Sequence, residues 1–187
     1  MSTISGTGIS LSSSYYLRNF YVSNRDATSS SKRKEMTNST LSKADADALH
    51  RAARKLRNFN FSDDTTDGAN IYASVTAFVE VYNNTLTSST SSSDSSLERY
   101  AKYLKNLSKE YTKELKDVGI TVNSDGSLSA NDNLLKSAKV SDMKKLFSQD
   151  AEYGSKVSRY AKRMTEKAEN LLFTEQTGIG SYINLTL

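Results

Sequence analysis

From Leu97 to Val118 the apolar residues Leu97, Tyr100, Leu104, Leu107, Tyr111, Leu115 and Val118 recur at steps of 3, 4, 3, 4, 4 and 3. An α-helix turns once in 3.6 residues, so this spacing lays all seven side chains along one stripe. Lys and Glu occupy much of the rest, and the near-heptad step is that of a coiled-coil seam. A helix of this span is roughly 33 Å long. The chain contains no proline, so nothing of that kind interrupts a long helix. One such stripe cannot be buried alone, and the chain must supply partners for it.

Three further stripes do so. The first helix is expected to start near Ser39–Ser42 and to end near Phe59, with Leu41, Leu49, Ala52, Ala53, Leu56 and Phe59 on one face and a capping-box-like start at Ser42 and Asp45. The polar run from Asn58 to Asp67 reads as a loop. A second helix spans Gly68 to Thr87, with Ile71, Val75, Phe78, Tyr82 and Leu86 in register. The serine-rich run from Ser88 to Ser96 reads as a flexible linker. A last helix covers Ala151 to Phe173 through Tyr153, Val157, Tyr160, Met164 and Leu171.

Between the third and last helices the grammar changes. Gly119 stands where a left-handed helix cap belongs. "ITVNSDGSLS" then alternates apolar and polar residues around Asn123-Ser124-Asp125-Gly126, a short β-hairpin whose turn centres on Asp125 and Gly126. Asn131 caps a small helix with Leu134, Leu135 and Ala138, and Ser141 or Asp142 caps another with Met143, Leu146 and Phe147. The expected fold is therefore mainly α: an antiparallel, coiled-coil-like bundle of three to four long helices with a small β-hairpin. Its organisation is a flexible aromatic and Ser-rich tail over 1–31, a helical bundle over 32–175 with the hairpin at 119–130, and a C-terminal tail over 176–187.

Composition narrows the chemistry. With no Cys there is no disulfide framework and no thiolate ligand or nucleophile. His50, the single histidine, lies in a basic helical stretch with no arranged partner in the sequence, and reads as a seam or surface residue. Asp63–Asn70 has the carboxylates of a calcium loop in the wrong order, with Thr65 and Ser74 at ligand positions. No phosphate loop or HExxH pattern occurs. The expectation is a non-enzyme without cofactor or metal.

Residues 1–60 carry ten Lys and Arg against four Asp and Glu. Lys32, Arg33, Lys34, Arg51, Arg54, Lys55 and Arg57 could in principle track phosphates. Arg51, Arg54 and Lys55 lie on the solvent side of the first helix, where a charge run reads as a solvated face, so nucleic acid is not an expected partner. There is no apolar run near the ~18 residues that a membrane helix needs, and the first residues lack the pattern of a cleaved signal peptide.

Two blocks carry a resemblance. "VTAFVEVYNNTL" supplies Phe78, Val79, Tyr82, Asn83 and Leu86. The stretch Leu115–Phe147 supplies Leu115, Gly119, Ile120, Asp125, Gly126, Leu128, Asp132, Leu135, Met143, Leu146 and Phe147. Together they resemble the C-terminal helical region of the flagellar filament-cap proteins, the second hook-associated proteins, over roughly residues 68 to 175. The resemblance implies a structural or assembly protein of the bacterial flagellar axial type. Such a protein works by subunit–subunit contacts, is exported without a cleaved signal, and is extracellular on the flagellum after a cytoplasmic stage. Implied partners are copies of itself and flagellin-type axial subunits, with an export chaperone as a further candidate. The alternative expectation is a free-standing helical interaction module, adhesin-like or chaperone-like, outside the flagellum. Expected contact residues are Tyr15, Tyr16, Phe20 and Tyr21 for interaction, and Leu97, Tyr100, Leu104, Leu107 and Tyr111 for the bundle seam.

Overall fold

A computed structural model describes residues 18–61, 68–92 and 94–177. Its elements, in chain order, begin with α1, whose described part is 18–23, α2 (Arg25–Thr28) and α3 (Ser30–Lys34). The long helices α4 (Asn38–Arg57), α5 (Gly68–Thr90) and α6 (Ser95–Glu110) follow. Then come α7 (Thr112–Asp117), β1 (Ile120–Val122), β2 (Leu128–Ala130), α8 (Asp132–Ser137), α9 (Val140–Phe147) and α10 (Glu152–Thr177).

Helices α4, α5, α6 and α10 form an up-down-up-down bundle. Contacts fix every neighbouring pair as antiparallel. Ser42 and Asp45 of α4 meet Ser88 and Thr85 of α5, and Tyr82 of α5 meets Ser108 of α6. Tyr100 of α6 and Tyr111, which follows its end, lie against Tyr160 and Tyr153 of α10, while Lys43 and His50 of α4 reach Glu169 and Ser158 of α10. Helix α5 carries a single charged side chain, Glu80, and is buried on most of its circumference. That is what a helix poor in charge requires when neighbours cover it on several sides. An aromatic knot of Phe78, Tyr82, Phe147 and Tyr153 fills the end of the bundle beneath the hairpin, with Phe78 and Phe147 edge to face at 5.4 Å.

The expected mainly α bundle and its small hairpin are therefore the observed fold. The hairpin pairs Ile120 with Ala130, Thr121 with Ser129 and Val122 with Leu128. Gly119 and Gly126 take φ of 81° and 85°, the left-handed region that β-carbons disfavour. Asn131 caps α8, its side chain accepting from the Asn133 and Leu134 amides.

Several boundaries differ from expectation, each for a tertiary reason. The cap of α4 is Thr37, whose side chain accepts from the Thr40 amide; Ser42 and Asp45 are buried inside the helix. The serine run is helical at its two ends, 88–90 and 95–96. Helix α5 continues to Thr90 and Asp94 caps α6 by accepting from Ser96 and Leu97. Thr87, Thr90 and Ser91 donate their hydroxyls to carbonyls one turn back, so these polar side chains satisfy themselves within the helix. Ser88 and Ser89 are small enough to be buried. The third stripe is two helices, α6 and α7, parted at Tyr111, beside which Thr112 Oγ1 takes the Lys109 carbonyl at 2.7 Å. Helix α9 is preceded by Lys139 with no side-chain cap, and Asp142 pairs with Lys145 instead. Helix α10 runs on to Thr177.

The largest difference is at the N-terminal side. The expected tail over 1–31 is, from residue 18, a set of short helices laid across α4 and α5. Phe20 and Ala27 are buried. Too few apolar side chains are involved to make a stripe visible in sequence, and polar contacts secure the rest. Tyr21 Oη donates to Glu80 at 2.6 Å, Asn84 Nδ2 to the Ala27 carbonyl at 3.2 Å, and Arg33 pairs with Asp45 through both carboxylate oxygens.

Candidate interaction surface

The elements that carry the two sequence blocks meet at the hairpin. Backbone bonds from Asn131 N–H to Gly119 O and from Asn123 N–H to Ser127 O alternate along the ladder, which turns the N–H and C=O of Leu128 away from β1. That edge of β2 is an open row of backbone groups. Asn83, on α5, closes it. Its Nδ2 donates to Leu128 O at 2.8 Å and its Oδ1 accepts from Leu128 N at 2.8 Å. One carboxamide thus stands in for the peptide group of a third strand.

The turn is held from both sides. Asp125 Oδ1 accepts from the Ser127 amide at 2.9 Å and hydroxyl at 2.7 Å, and these bonds draw the Asp125 carboxyl below its ordinary range. Beneath the turn runs a buried chain of hydroxyls. Tyr82 Oη donates to Gly126 O at 3.3 Å. With that proton committed, Ser108 Oγ donates to Tyr82 at 2.9 Å and Tyr153 Oη to Ser108 at 3.0 Å. Burial pushes the ionisation of both tyrosines well above the usual phenol range, so they stay protonated and serve as hydrogen-bonding struts. The chain ties α5, α6, α10 and the hairpin turn to one point.

The interaction residues expected from sequence divide. Tyr15 and Tyr16 lie outside the described residues. Phe20 is 8% exposed and meets Tyr21 edge to face at 5.7 Å. Tyr21 is half-buried against Glu80; burial and that carboxylate both raise its ionisation. Both rings therefore pack on this chain's own bundle. Of the seam, Leu97, Leu104 and Leu107 are buried while Tyr100 and Tyr111 are half-buried. Tyr111 Oη donates to Glu152 at 3.0 Å.

His50 sits in the α4–α10 seam, its Nδ1 2.9 Å from Ser158 O and 3.1 Å from Ser158 Oγ. Of the stretch Asp63–Asn70, residues 63–67 lie outside the described residues and the rest begins α5. Among the described residues no group of three or more His, Asp or Glu is placed to hold a metal, and no helix is long and apolar enough to cross a membrane. In the basic run Arg33 is committed to Asp45 and Arg51 to Asp47.

Sequence reasoning missed Asn83's clamp, the Arg33–Asp45 pair and the Ser108 relay. One had a visible signal: Asp45 falls on the same stripe as Leu49, Ala52 and Leu56, where an acid must find a buried partner. Compared with protein-family models, with characterised proteins and with solved structures, the chain matches none.

Proposed function

We propose that the chain is a structural subunit of the bacterial flagellar axial type, extracellular and acting through contacts with copies of itself or with flagellin-type subunits. One observation carries the reading. The two blocks that resemble the filament-cap proteins are separated by tens of residues, yet they form one packed and hydrogen-bonded unit. Asn83 brackets Leu128, and Tyr82 reaches Gly126. Phe78 packs on Phe147, and Leu115, Ile120, Leu135, Met143 and Leu146 are all buried. The residues that carry the resemblance converge on one interior and on the turn above it. Their convergence supports a shared helical core, and an assembly role follows from the family that core resembles.

The test is co-sedimentation with polymerised flagellin filaments, together with sedimentation velocity of the protein alone. Assembly or filament-end binding, lost when the hairpin turn is replaced by a glycine linker, is the expected result. A protein that stays monomeric over the accessible concentration range and does not pellet with filaments refutes the axial reading and leaves the free-standing interaction module.

A further inference from the structure

Outside the hairpin unit, one surface stands apart from the solvated faces around it. Tyr100 and Tyr103 of α6 and Tyr160 of α10 form a triangle, with ring centroids 5.8, 6.2 and 5.7 Å apart. Tyr103 is 42% exposed, and the other two rings are half-buried beside it. Cations rim the triangle. The Arg159 guanidinium lies 5.9 Å from the Tyr160 centroid. Arg99 stands one helical turn before Tyr103, and Arg163 one turn after Tyr160, so each shares a helix face with its tyrosine. Arg99 and Arg159 make no ion pair among the described residues. The Glu152 carboxylate is bonded to Lys156 and Tyr111, which with help from Arg159 draw it below its ordinary range, and Glu166 is paired with Lys162 and Arg163.

Exposed aromatic rings beside arginine have the composition of interface hot spots. We propose that the α6–α10 face around Tyr103 is a docking site for an acidic peptide segment of a partner protein. An apolar side chain of that segment rests on the tyrosine triangle, and its flanking carboxylates meet Arg99 and Arg159. Charge selects this occupant. A second copy docking through the same face about a twofold axis sets arginines against arginines, which is unfavourable. A single-stranded nucleic acid also seeks cations and rings, but it needs open ring faces for its bases to stack on. Here Tyr100 and Tyr103 stand nearly perpendicular, at 84°, and all three rings spend much of their surface on one another.

The test uses three labelled probes on the full chain, followed by fluorescence anisotropy: a helical peptide with a Leu/Phe stripe flanked by Glu, its isomer with Lys in place of Glu, and an oligo-dT strand. The acidic peptide is expected to bind and to weaken with salt, as screened surface charges do, and the lysine isomer is expected to stay free. Tyr103→Ala and Arg159→Glu should each weaken the acidic peptide by about tenfold or more while thermal melting stays close to that of the parent. Arg159→Glu keeps the test informative should Tyr103→Ala perturb folding. Equal binding of both peptides, tighter binding of oligo-dT, no binding of the acidic peptide, or indifference to Arg159→Glu overturns the proposal.

Discussion

Asn83→Ala is the sharpest probe of how the hairpin is held. The substitution removes two bonds, both 2.8 Å long, from one side chain to the two backbone groups of Leu128. Each is worth about 1 kcal/mol net, and a backbone group left without a partner away from water costs a further ~1–3 kcal/mol. Leu128 is 2% exposed, but Asn83 itself is half-buried, so water partly replaces the lost side chain. The expected loss is about 2–4 kcal/mol, or roughly 5–15 °C in Tm at ~2–4 °C per kcal/mol. The neighbouring Asn84 gives an internal control. It has the same side chain on the same helix but donates one bond, to Ala27 O at 3.2 Å, so Asn84→Ala should cost about 1 kcal/mol. Urea unfolding measures both variants, and amide exchange at Leu128 reports the edge directly. If Asn83→Ala costs no more than Asn84→Ala and the Leu128 amide exchanges as slowly as in the parent, the edge of β2 is not held by Asn83 and the argument for one unit fails.

The two left-handed glycines should respond unequally. A β-carbon on Gly119 falls 2.7 Å from the Leu135 backbone nitrogen and 2.9 Å from the Leu134 carbonyl carbon, whereas one on Gly126 falls 2.7 Å from Lys105 Cγ, which can rotate, and 2.9 Å from its Cβ, which cannot. Denaturation should show both Gly119→Ala and Gly126→Ala costing more than the conformational penalty they share, with Gly119→Ala the costlier because backbone atoms block it. Arg33→Met strands a buried carboxylate and should cost about 3–5 kcal/mol at neutral pH. Burial already raises the Asp45 ionisation above its ordinary 3.8, against the pull of Arg33. The group's contribution to stability is therefore full below that value and lost as pH rises through its folded pKa, so the deficit of Arg33→Met in thermal melts should narrow as pH falls toward 4. In alkali, Tyr21, Tyr82 and Tyr153 have folded ionisations raised above the ordinary 10.0. Their contribution is present below pH 10 and lost as pH rises above it; Tyr82→Phe should flatten that alkaline decline in Tm.

Much of this protein is written in short-range chemistry and was legible from the residues alone. The stripe from Leu97 to Val118 implied a helix face because its repeat matches the helical period, and Leu97, Leu104, Leu107, Leu115 and Val118 are buried as that requires. The hairpin was legible for the same reason, since Gly119, Gly126 and Asn131 act within a few residues of themselves. What lay beyond reach was the fate of polar and weakly apolar residues, because it depends on groups brought close by the fold. Asp45 is stable inside the bundle because Arg33, twelve residues away, folds over it. Phe20 and Tyr21 pack on this chain because Glu80, fifty-nine residues from Tyr21, offers its carboxylate to the phenol. Ser88 and Ser89 continue helix α5 because their small size lets them be buried, and the hydroxyls of Thr87, Ser88 and Thr90 bond back to the helix; the same composition in isolation reads as a linker. A side chain's own preference sets the period and the turns. Whether a polar group can leave water is decided by the partner that the tertiary structure delivers to it.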